Sequence, residues 1–210
     1  MNRATANLLH YSNHLLLDIY PLSVEAFRRK STHQRASYDY LNQIVQTSHS
    51  ALEDIMRALK VSGIPQGYAA RVRRARELTI LPEDLADAMF DFCKLRNETI
   101  HENPKIDHAV RLYPEILPLI LCGFSLHELF WIFEERFEHR PLRSHHHLVI
   151  VDKAYLLLWL EPKSEKSAKP WDKYEAEYAR KAKLARRRLL TADCRISFTA
   201  SISQVAGLVG

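Results

Sequence analysis

Hydrophobic positions recur at helical spacing through most of the chain, and polar, proline-bearing breaks separate them. Apolar residues at three- and four-residue intervals predict helices over residues 4–19, 34–61, 67–78, 82–102, 107–138 and 170–190. Gly63–Pro65 and the region around Pro104 are the clearest breaks, because proline cannot continue a helix and restricts the residue before it. The fourth segment is the best formed. Pro82 suits a first helical position, and Glu83 and Asp84 stand at its positive end. Leu85, Ala88, Met89, Phe92, Leu95 and Thr99 then trace one apolar stripe.

Three stretches depart from this pattern. LVIVDKAYLLLWLE, residues 148–161, is rich in Val, Ile and Tyr around Asp152-Lys153, which fits either a short hairpin or a buried helix. EPKSEKSAKP, residues 161–170, reads as a linker. In the last twenty residues Ile196, Phe198, Ala200 and Ile202 alternate weakly, as a marginal strand or a disordered tail would. The expected fold is therefore all-α, with a helical bundle over 1–145. An appended region over 146–210 would hold the hairpin or helix, a basic helix and the tail.

Composition supports a packed chain. With 210 residues, 47% of them hydrophobic, a sizeable core can form, and five glycines suit helices with short connections. Cys93, Cys122 and Cys194 form no paired motif, which points to a reducing, cytoplasmic setting without disulfides. Residues 112–133 are apolar enough to raise a membrane span. Glu115, His127 and Glu128 interrupt them, and Pro114 and Pro118 favour a bent core helix, so no membrane is expected. His145, His146 and His147 are adjacent, and consecutive side chains diverge, so neither a metal nor another cofactor is expected.

The basic balance is moderate and clustered. The chain carries a net charge of +5, and two basic runs hold much of the excess. RVRRAR includes Arg71, Arg73 and Arg74. ARKAKLARRR, residues 179–188, contributes Arg180, Lys181, Lys183, Arg186, Arg187 and Arg188, with Trp171, Tyr174 and Tyr178 upstream at helical spacing. Such a helix could track phosphates while its aromatics stack on unpaired bases. It could equally be a docked helix with a solvated basic face.

The candidate chemistry lies in LRNETIHEN, residues 95–103. Arg96, a permanent cation, falls on the apolar stripe, where it must be paired, for instance with Glu128 or Glu134, or must line a cleft. Asn97 is a polar neighbour, and His101 can exchange protons near neutral pH. The same Arg-to-His spacing occurs at Arg28–His33, in a polar run, and at Arg140–His145, which Pro141 interrupts. Only Arg96 follows a well-formed helix. In an ideal helix positions 96 and 101 stand about 140° apart, so the two could meet if the helix ended near Ile100 or if a second chain supplied one of them.

Arg-Asn-x-x-x-His at the end of a helix resembles the motif of the HEPN superfamily, many of whose members are metal-independent endoribonucleases of toxin–antitoxin, phage-defence and RNA-processing systems. The resemblance covers Arg96, Asn97, His101 and their helix. It implies a bundle that dimerises to form a composite cleft, with Arg96 holding the phosphate, His101 moving a proton and Asn97 orienting His101 or lining the cleft. RNA would be the substrate, with an antitoxin protein or RNA as a further partner. Some toxins of this family carry a tyrosine two positions after the histidine, where this chain has Asn103. Two other readings stay open: a non-catalytic helical module binding RNA or protein, and a DNA-binding regulator, for which no helix-turn-helix emerges.

Overall fold

The computed structural model describes residues 2–101, 107–137, 148–161 and 172–201. Helix α1 (Asn2–His14) runs into a π-helical turn, Leu15–Ile19, that ends ahead of Pro21. A short α2 (Val24–Arg29) follows, its first turn capped by the Ser23 hydroxyl accepting from the Ala26 amide at 3.2 Å. Then come α3 (Ser31–Ala58), α4 (Tyr68–Glu77), α5 (Glu83–His101), α6 (His108–Arg111), a 3₁₀ turn (Tyr113–Glu115) and α7 (Ile116–Phe137). The expected helices are present with shifted ends, while α2 was not anticipated. The segment expected as one bent helix over 107–138 is instead divided, with Pro114 in the 3₁₀ turn and Pro118 in the first turn of α7.

The long helix α7 is the centre around which α1, α3 and α5 pack. Leu119, Ile120, Phe124, Leu129, Phe130 and Phe133 are all buried, and a helix apolar on every side has to be. The segment Tyr113–Glu135 is long enough for a membrane span and holds an 18-residue window of mean hydropathy 1.8, yet 72% of that window is buried within the chain. Close approach depends on Gly123, where a Cβ would sit 2.1 Å from Ser12 Oγ of α1 and 3.6 Å from Ile44 Cδ1 of α3.

The C-terminal part corrects the expected hairpin. Strand β1 (Leu148–Val151) pairs antiparallel with β2 (Phe198–Ser201), Leu148 opposite Ser201 and Val151 opposite Phe198. Residues Lys153–Trp159 form helix α8. Asp152 is its N-cap, accepting from the Tyr155 amide at 2.9 Å, rather than a hairpin turn. Helix α9 (Asp172–Thr191) lays Ala182, Ala185 and Leu189 on the body beside the π-helical turn. These residues, with Val151, Leu156 and Phe198, belong to the same core cluster as the bundle. The expected boundary at 145/146, the histidines 145–147 and the linker residues 162–170 lie outside the described residues.

Candidate functional site

Helix α5 buries Leu85, Met89, Phe92 and Leu95 against α3, α4 and α7, and this fixes the angular position of Arg96 at the edge of the stripe. Arg96 is half-buried. Its Nε donates to Asn42 Oδ1 of α3 at 3.0 Å, and one terminal nitrogen donates to Asn97 Oδ1 at 3.1 Å. Its guanidinium carbon lies 5.0 Å from the centroid of the Tyr68 ring on α4, within cation–π range. The two carboxylates anticipated as its partners meet other groups. Glu128 accepts from the Tyr155 hydroxyl at 2.6 Å, and Glu134 accepts from the Thr5 hydroxyl.

Tyr68 also leans on His49 of α3, ring centroids 4.2 Å apart, and His49 opens a second cluster. Arg71, 1% exposed, donates to the Pro65 carbonyl, to the His49 carbonyl and to His49 Nδ1 at 2.8 Å, and pairs with Glu53 at 2.7 Å. A guanidinium can only donate, so Nδ1 is the accepting nitrogen and the His49 proton resides on Nε2. Burial and then the Arg71 charge hold the His49 pKa below the ordinary histidine value. Glu53 is held below the usual carboxylate range by its hydrogen bond from Arg57 and by the Arg71 charge.

Arg71 is therefore not a phosphate contact but a clamp joining α4, α3 and the loop between them. Winding RVRRAR into a helix sends its arginines in different directions. Arg73 is exposed, Arg74 pairs with Glu77 at 3.0 Å, and Arg76 reaches Glu83 and Asp87 of α5.

The basic C-terminal run divides in the same way. Lys181 pairs with Asp18 at 2.7 Å and with Glu177 at 3.0 Å. Arg186 donates to the Leu157 carbonyl. Arg188 donates to the carbonyls of Tyr20 and Leu22 and lies between the rings of Tyr20 and Tyr113, 4.6 and 4.9 Å from their centroids. Arg180, Lys183 and Arg187 are exposed, and their spacing of three and four places them on one face of α9. Tyr174 and Tyr178 are exposed ahead of them, whereas Trp171 lies outside the described residues.

The motif itself is brought together in part. Asn97 is exposed beside Arg96. Helical backbone continues to His101, so positions 96 and 101 stand about 140° apart around the axis, and 97 and 101 share a face. The side chain of His101, with Asn103 and Pro104, lies outside the described residues. Cys93, one turn before Asn97, is no substitute nucleophile, since burial pushes its thiol up to about 11.

Asn42 and Tyr68 were not anticipated as neighbours of Arg96, nor His49 as a partner of Arg71. The signal was a polar line on α3 at Asn42, Gln46, His49 and Glu53, the pattern of a solvated face, part of which α4 and α5 cover. No family model, no curated protein and no solved structure matches the chain.

Proposed function

We propose that the chain is a metal-independent endoribonuclease of the kind found among toxins and abortive-infection effectors. The observation that carries this reading is the setting of Arg96, a half-buried guanidinium oriented from two sides by the Asn42 and Asn97 amides and from a third by the Tyr68 ring. A preoriented cation of this kind suits a phosphoryl group on which charge grows in the transition state. In the proposed reaction the RNA 2′-hydroxyl attacks the adjacent phosphorus and displaces the 5′-oxygen. His101 transfers the proton, Arg96 holds the non-bridging oxygens, and a 2′,3′-cyclic phosphate results.

Because positions 96 and 101 diverge around α5, the complete site takes its two groups from two copies of the chain. The stripe Met89, Phe92, Leu95 is buried within one chain and cannot serve that contact. The exposed line through Lys94 and Asn97, which position 101 extends, can.

A second reading, RNA binding without cleavage, is favoured by the exposed stripe Arg180, Lys183, Arg187. Incubating the purified chain with end-labelled RNAs in EDTA separates the two. Cleavage that Arg96→Ala or His101→Ala removes, and that a 2′-deoxy substitution at the cut site prevents, supports the enzyme. Binding without cleavage overturns it in favour of the second reading, and equal cleavage by His101→Ala overturns the assignment of the reaction to this site.

A further inference from the structure

A second cluster of chemistry-bearing side chains stands on the first helix. His10 and His14 are one turn apart on α1, with ring centroids 4.5 Å apart. His14 Nδ1 meets Asp18 Oδ2 at 2.7 Å. A carboxylate can only accept, so Nδ1 carries the proton, and in the neutral imidazole Nε2 is the nitrogen with the lone pair. The Tyr40 ring lies nearly parallel to the His14 ring, 13° between planes at 5.7 Å, and sets its orientation from α3. The other oxygen of Asp18 is held by Lys181 of α9 at 2.7 Å, so the carboxylate serves to orient the imidazole. Asp18 itself sits in the π-helical turn Leu15–Ile19, an uncommon conformation that recurs at functional sites.

We propose that His10 and His14 form a chelate for a divalent d-block cation, with Asp18 as the positioning residue behind His14. Neutral imidazoles a helical turn apart suit Zn²⁺, Ni²⁺ or Cu²⁺. A ligating histidine usually donates its other ring nitrogen to a carboxylate, which is the arrangement already built at His14–Asp18. His10 is exposed and His14 half-exposed, so a cation can reach them.

No group of three His, Cys, Asp or Glu converges on one point among the described residues. The protein thus contributes two ligands, water completes the sphere, and positions stay open for exchange. Acid–base cleavage of a phosphodiester is the poorer fit here. In-line displacement sets its acid and base on opposite sides of the phosphorus, whereas these two rings approach each other from one helix face.

The test is titration of the untagged, EDTA-stripped full chain with Ni²⁺ by calorimetry. His145, His146 and His147 are changed to alanine in every sample so that they cannot contribute. Saturable one-to-one binding is expected. His10→Ala, at an exposed position, should abolish it while leaving the metal-free melting temperature unchanged. Asp18→Asn should weaken it about 10–100-fold, the usual effect of removing an orienting carboxylate. Binding that survives His10→Ala, or is indifferent to Asp18→Asn, overturns the chelate. RNA cleavage in EDTA is unaffected by His10→Ala under this proposal, so its outcome is separate from that of the Arg96 site.

Discussion

Asn42 Oδ1 accepts the Nε hydrogen of Arg96 at 3.0 Å, so a residue fifty-four positions earlier aims the motif arginine. A hydrogen bond to a charged group contributes about 1.5–3 kcal/mol. Asn42→Ala should therefore lower single-turnover RNA cleavage about tenfold or more while RNA still binds. Arg96→Ala should lower it about 10²–10³-fold, the range for removing one donor to a developing oxyanion. Single-turnover rates measured after matched melting curves check both. Equal rates for Asn42→Ala and the unsubstituted chain would leave Asn42 a packing residue only.

How much of this was legible in the sequence follows the range of the interactions. The helices are local, and Leu85, Met89, Phe92 and Leu95 declare their buried face through spacing alone. The partners of Arg96 are non-local: Asn42 and Tyr68 come from two other helices, and nothing in their neighbourhoods distinguishes them from surface polar residues. The same limit hid which strand pairs with which. Val149 finds Ala200, about fifty residues on, and Asp152 is as good a helix cap as a hairpin turn. Charge runs were legible as charge, but not as contacts. A helix spreads consecutive arginines around its axis, so Arg71 is buried while Arg73 is exposed.

That division sharpens the nucleic-acid prediction. If the exposed face of α9 tracks phosphates, replacing Arg180, Lys183 and Arg187 with glutamine should flatten the salt dependence of RNA binding. Each lost contact should lower the log–log slope by about 0.7 for a single strand. Arg188→Gln should instead lower the melting temperature, because it takes a charged donor from the Tyr20 and Leu22 carbonyls and a cation from the two tyrosine rings. Fluorescence anisotropy across a salt series reads the first effect and calorimetry the second. An unchanged slope in the triple variant would leave that face merely solvated.

Stability should fall in acid in two stages through the Arg71 cluster. Burial beside Arg71 lowers the His49 pKa, so the unfolded chain binds that proton more tightly. Stability is then lost as pH drops through about 6.5 and levels off once the folded imidazole is also protonated. Glu53 is lowered too, so its contribution is present above about 4.5 and disappears as pH falls through its folded value. His49→Asn keeps an acceptor for Arg71 but cannot titrate, and should remove the upper stage alone. Melting temperatures from pH 8 to pH 3 for both chains check this. A His49→Asn profile superimposable on the parent's between pH 7 and pH 5 would refute it.

Thr79 ends α4 in the left-handed region, φ +56°, with the Ile80 amide closing on the Ala75 carbonyl at 2.9 Å. A β-branched residue is strained there, by roughly 1–2 kcal/mol for an L-residue, and glycine is not. Thr79→Gly should raise the melting temperature despite the added freedom of the unfolded chain. A lower melting temperature would mean that the turn is held by contacts of the threonine side chain.

The two-chain site makes the most discriminating prediction. Suppose each cleft takes Arg96 from one chain and His101 from its partner. Arg96→Ala and His101→Ala are then each inactive alone, yet a mixed dimer retains one intact cleft, with Arg96 from the second variant and His101 from the first. A two-fold dimer that exchanges freely gives half mixed dimers, each with one working cleft of two, so the mixture should recover about a quarter of the parental activity. If both groups act from the same chain, every cleft in every dimer lacks one of them, and mixing recovers nothing. Lys94→Glu, on the exposed line beside Asn97, should weaken association and abolish the recovery. Activity of a strict monomer, established by light scattering at the assay concentration, would refute the shared cleft outright.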